Sequence, residues 1–92
     1  MSNIFSRNGI IAFHPGYYIA EIIEDLGITQ TEFSSRVGIP ADILSQLIVG
    51  QMDLTENLAG RISSALGSST EFWMKLQKSY TEKMVESAHL QK

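Results

Sequence analysis

The chain has 92 residues, 43% of them hydrophobic and 18% charged, which is enough apolar material for one modest core and too short for two. That balance excludes a wholly disordered chain, the absence of cysteine excludes disulfides and thiolate-bound metal, and no apolar run approaches the roughly 18 residues of a membrane span. The net charge of −3 is the wrong sign for binding nucleic acid through bulk charge, so a DNA-binding reading must rest on local arrangement or on a partner, and a basic protein partner fits the same sign.

The opening MSNIFSRNGIIAF is too poor in cations and in apolar length for a secretory signal, and a cytoplasmic protein is expected. Residues 1–14 are read as an N-terminal arm. Within it, Ile4 to Arg7 and Ile10 to Phe13 flank Asn8-Gly9, the dipeptide that most favours a two-residue hairpin turn. A lone hairpin is marginal in water, so the reading leaves open whether the arm orders by itself, covers the core, or adds a strand to a partner sheet.

A first helix is expected from about Pro15 to Leu26, with Ile19, Ile22, Ile23 and Leu26 on one face and Gly27 as its stop. His14 is placed to cap it. Thr29 and Glu32 form a capping box that opens a second helix carrying Phe33 and Val37 and ending at Gly38. A third is expected from about Pro40 to Val49, with proline at the tolerated first position and Gly50 as the stop. A fourth starts from Thr55 and runs to Leu66, with Leu58, Ile62, Ala65 and Leu66 on one face and Gly67 ending it. Ser68 and Glu71 are read as the capping box of a fifth helix, striped by Phe72, Trp73, Leu76, Tyr80 and Met84. The expected organisation is thus an arm over 1–14, a helical domain over 15–79 and a helical extension over 80–92.

Residues 29–50 carry the informative pattern. Two short helices joined by a tight glycine turn make a helix-turn-helix, whose second helix enters the major groove. Ser34 is small where the helices cross, Gly38 makes the turn, and Ile39, Leu44 and Leu47 lock the second helix onto the first.

At this point the chain resembles a known family. The stretch from His14 to Pro40, opening His14-Pro15-Gly16, and the stretch from Leu54 to Tyr80, with its Ser69-x-Glu71-Phe72-Trp73-x-x-Leu76-Gln77 run, resemble the HigA-like antitoxin branch of the XRE (repressor/Cro-like) family. The resemblance implies an all-α, five-helix, lambda-repressor-like DNA-binding domain with an N-terminal arm and an extended C-terminal helix. It also implies a dimeric antitoxin that neutralises a HigB-like, messenger-RNA-cleaving toxin and represses its own operon. By the family pattern, Gln30 donates to a phosphate, Ala41, Asp42, Ser45 and Gln46 face the groove, and Gln51 approaches the backbone.

This chain departs from that pattern where the family commonly carries cations. It has Gln46, Gln51 and Met52 at such positions, and Val49 where asparagine is frequent. Between Thr29 and Gln51 the only basic residue is Arg36, against Glu32 and Asp42. Gln46 still has the shape to read adenine, and a helix N-terminus can hold phosphate. A face so poor in cations binds DNA weakly or needs a toxin to add charge.

The remaining residues have bland and functional readings. Trp73 is read as core. Tyr80 and Met84 lie past the length a small core needs and are read as a dimer contact. Glu21, Glu24 and Asp25 line the polar side of the first helix, either as a solvated face or as the attraction for a basic ribonuclease toxin. His89 is expected in solvent. No metal or cofactor is expected, and no phosphate loop or catalytic constellation is legible, so the chain is read as a binding protein rather than an enzyme. The alternatives to the antitoxin are a stand-alone XRE-family regulator, or a protein-binding module with little DNA affinity.

Overall fold

In chain order the elements are β1 (Ile4–Arg7), β2 (Ile10–Phe13), α1 (Pro15–Leu26), α2 (Gln30–Val37), α3 (Ala41–Ile48), α4 (Glu56–Leu66) and α5 (Thr70–Leu90). The computed structural model describes residues 4–7 and 9–90. Asn8, the first residue of the expected turn, residues 91–92 and the side chain of His89 lie outside the described set.

α1 starts where His14-Pro15-Gly16 demands it. The His14 imidazole Nδ1 accepts the Gly16 N–H at 2.9 Å, Pro15 takes the position whose N–H has no helical partner, and Gly16 lies so close to α3 that a Cβ there would sit 1.8 Å from the Leu47 carbonyl oxygen. The motif thus caps α1 and also lets its backbone touch α3. Ile19 and Ile23 are buried, whereas Leu26 is largely exposed.

The Thr29 hydroxyl accepts the Glu32 N–H at 3.0 Å, one half of the expected capping box. The Glu32 carboxylate itself turns to Arg36, at 3.9 Å. Pro40 is the N-cap of α3 rather than its first helical residue, and no side chain caps that helix. At the start of α5 the expectation was off by one residue. Ser69, not Ser68, accepts the Phe72 N–H, at 3.1 Å, and the Ser68 hydroxyl instead accepts the Trp73 indole N–H at 2.9 Å. Only the fold brings Ser68 to that indole, whose burial requires a partner for its donor.

Ile19, Phe33, Ile39, Leu44, Leu47, Ala59, Ile62 and Trp73 form the core. Besides Leu26, two more residues expected to face inward do not. Phe72 is 50% exposed, because the buried line of α5 runs through Trp73 and Gln77. Ala65 is exposed, and α4 buries Ala59 and Ser63 beside Ile62 instead.

β1 and β2 pair antiparallel, Ile4 opposite Phe13 and Phe5 opposite Ala12. The hairpin strands are not alone: β2 lies against α5, and Ala12 is fully buried. α5 runs as one helix from Thr70 to Leu90, and the stretch read as a helical extension is its C-terminal part. The Tyr80 ring lies edge-on to His14 at 5.0 Å, so this residue packs on the chain's own domain and is only partly accessible.

Candidate nucleic-acid interface

α2 and α3 are joined by Gly38, at φ 72°, in the left-handed region that glycine enters without penalty. The Gly38 and Ile39 N–H groups both donate to the Ser34 carbonyl, at 3.0 and 3.2 Å, and the Ser34 hydroxyl donates back to the Ile39 carbonyl. Ser34 is therefore more than a small residue at a crossing: its hydroxyl closes the turn. Ile39, Leu44 and Leu47 are buried as expected and pin α3 against the core.

The opposite side of α3 is exposed at Ala41, Asp42, Ser45 and Gln46. The Ser45 hydroxyl donates to Gln30 Oε1 at 3.2 Å, so the start of α2 and the middle of α3 share one polar contact and present one surface. With its oxygen engaged, the Gln30 amide group is left to donate outward. The first-turn N–H groups of α3 have no side-chain cap, the condition in which a helix start takes an anionic oxygen. Gln51 is exposed just beyond α3, its backbone N–H bonded to the Gln46 carbonyl at 2.9 Å. The structure thus brings Gln30, Ala41, Asp42, Ser45 and Gln46 to one face with Gln51 next to it in the chain. The sole cation of the segment, Arg36, faces Glu32 across a solvent-exposed pair.

Three residues support this face through contacts the sequence did not show, although His14 was legible as the cap of α1 and Gln77 as part of the family run. Arg61 of α4 donates to the Gly38 carbonyl at 3.0 Å and to Asn57 at 3.0 Å, bracing the turn from an element 23 residues away. Beside it an open groove of about 580 Å³ is lined by Arg36, Glu56, Asn57, Arg61 and Ser64. The groove is open surface rather than an enclosed site. Gln77, fully inside α5, accepts the Leu54 N–H at 2.7 Å and so fixes the chain leaving α3. His14 completes the same region. Its Nε2 is buried without a hydrogen-bond partner, and burial holds the imidazole pKa below its ordinary value, against the opposing pull of the Met52 backbone and Asp53.

A family model described as Helix-turn-helix matches residues 19–73, from the middle of α1 to Trp73. The chain belongs to that helix-turn-helix family. It is 30% identical over 82 residues to the HTH-type transcriptional regulator YddM of Escherichia coli K12, covering 85% of this chain and 87% of that protein. It is 35% identical over 57 residues to antitoxin HigA-1 of Vibrio cholerae, covering 62% of this chain and 53% of the antitoxin, so it spans about half of that relative's length.

Among solved structures, it is similar to one described as an antidote protein of a plasmid maintenance system from Nostoc punctiforme, with a TM-score of 0.84, 30% identity and coverage of 87% and 88% of the two chains. An addiction-module antidote protein of the HigA family from Coxiella burnetii gives a TM-score of 0.76 at 29% identity, covering 78% and 79%. The helix-turn-helix of this chain is therefore similar to HigA-type antitoxins, as the His14-Pro15-Gly16 and Glu71-Phe72-Trp73 stretches imply. The Pseudomonas aeruginosa antitoxin HigA, solved with its higBA promoter, shares the fold at a TM-score of 0.79 and 21% identity. No helix among the described residues is long and apolar enough to cross a membrane.

Proposed function

We propose that the chain is an antitoxin that also represses its own operon, binding operator DNA as a dimer and neutralising a HigB-like, messenger-RNA-cleaving toxin. The observation that carries the DNA half is the Ser45–Gln30 contact at 3.2 Å, which couples the start of α2 to α3 so that phosphate contacts and base contacts share one register. Gln30 and the uncapped α3 start then hold phosphates. Ala41, Asp42, Ser45 and Gln46 face base edges, with Gln46 suited to adenine, and Gln51 lies by the backbone. Glu21, Glu24 and Asp25 attract the toxin, and Tyr80 and Met84 meet the second copy.

The likeness to HigA-type antitoxins supports the toxin half. A mobility-shift assay against the DNA upstream of the chain's own reading frame tests the proposal, run with the chain alone and with the product of the neighbouring reading frame. Sequence-selective binding that tightens with that product supports it. Absence of selective binding under both conditions overturns the repressor role.

A second reading, a protein-binding module with little DNA affinity, has one specific observation in its favour. Between Thr29 and Gln51 the sole cation faces an acid of its own helix, and phosphate neutralisation by cations supplies most of the affinity in such complexes. Toxin binding without selective DNA binding distinguishes it.

A further inference from the structure

The hairpin displays an apolar face that is open to solvent. Register partners lie on one side of a two-stranded sheet, so Ile4 and Phe13 share a face with Ser6 and Ile11, while Phe5, Ile10 and Ala12 take the other. The second set is buried or half-buried. The first is open: Ile4 is 39% exposed, Ile11 51% and Phe13 38%. Single exposed apolar residues are ordinary, but here three lie together on one small face.

That face does not stop at the strands. The Phe13 ring packs against Tyr17 at 5.1 Å, and the Tyr17 hydroxyl turns to the Glu21 carboxylate, which raises its pKa above the ordinary phenol value. Residues 17, 21 and 24 follow helical spacing, so Tyr17, Glu21 and Glu24 form one line along α1. α1 holds three of the ten acidic residues, Glu21, Glu24 and Asp25, and none of the seven basic ones. Acids and bases elsewhere in the chain balance, so the whole net charge of −3 is accounted for by α1.

We infer that the outer face of the hairpin, continued by the Tyr17–Glu21–Glu24 edge of α1, is the docking surface for a basic protein that seats apolar side chains on Ile4, Ile11 and Phe13. Charge decides the occupant. Nucleic acid is repelled by this edge, and a second copy carries the same acids and the same net charge of −3, so like charge opposes its approach. A cationic partner gains steering from the acids and affinity from the apolar half. The surface includes no residue of α2 or α3, so it leaves the DNA face available. This inference rests on the antitoxin reading and specifies which surface grips the toxin: the acids supply attraction, and the hairpin, left open between two roles in the sequence, supplies the anchor.

The test uses the full chain and the purified product of the neighbouring reading frame, with affinities from calorimetry at several salt concentrations and circular dichroism to verify folding. Ile11→Thr and Ile4→Thr keep β-branched residues in the strands and each lower affinity about tenfold or more, as loss of an interface anchor does, with the salt dependence unchanged. Glu21→Gln combined with Glu24→Gln slows association and flattens the salt dependence. Wild-type affinity in both isoleucine variants overturns the surface while leaving the antitoxin reading intact. A wild-type chain that binds no such product overturns both. If sedimentation shows that Ile11→Thr dissolves a homodimer, the occupant is a second copy and the inference fails.

Discussion

Gln77 Oε1 accepts the Leu54 backbone N–H at 2.7 Å, both groups buried, so the middle of α5 holds the chain that has just left α3. A glutamine there satisfies a donor that packing has cut off from water. Replacing Gln77 with leucine leaves that N–H without its acceptor and is expected to cost about 1–3 kcal/mol. Urea denaturation checks this, and wild-type stability would show that the Leu54 N–H finds another partner.

Gly16→Ala is expected to be among the most damaging single changes. Its Cβ would meet the Leu47 carbonyl oxygen at 1.8 Å, a backbone atom that cannot swing aside. α1 and α3 must then separate, and destabilisation of about 3 kcal/mol or more is expected. Thermal melting checks the loss. A variant of wild-type stability would mean that α1 and α3 do not touch backbone to backbone.

His14 gives stability a pH dependence in a mildly acidic window. The folded state lowers its pKa below 6.5, chiefly by burial, so the unfolded chain takes the proton more readily. Its contribution is complete above pH 6.5 and declines as pH falls from there through the lowered folded value. Protonation also removes the Nδ1 lone pair that caps Gly16. His14→Asn keeps an acceptor at the cap but does not titrate, so its stability should vary less between pH 7 and 5.5. Parallel denaturation curves for the two proteins across that range would refute the assignment.

Gln46→Ala is expected to weaken operator binding by about 1–3 kcal/mol without lowering the melting temperature, since the side chain is exposed and is proposed to read a base. Titration of labelled operator measures it, and undiminished affinity with an intact fold removes Gln46 from the readout.

The proposed dimer contact is best tested away from Tyr80, whose ring also supports His14. Met84→Glu is expected to shift the chain towards monomer, because a charge desolvated at an interface is costly. Sedimentation equilibrium reports the change, and a dimer of unaltered strength excludes Met84 from the interface.

The five helices and the helix-turn-helix were legible from local sequence, because caps, glycine stops and 3.6-residue spacing act over a few neighbouring residues. His14, Pro15, Gly27, Thr29, Gly38 and Thr55 all stand where local geometry requires them. The apolar residues that lock α3 to α2, Ile39, Leu44 and Leu47, were legible for the same reason. Tertiary structure decided what depends on distant partners. Arg61 reaching Gly38 and Gln77 reaching Leu54 each span 23 residues of chain, and Ser68 took the Trp73 indole once that ring was buried. Phe72 faces outward although its type suggested core, because α5 meets the domain along Trp73 and Gln77. The hairpin packs one of its faces on α5. Spacing along a chain specifies which residues share a side of one helix, but only the packing of several helices specifies which side is inside.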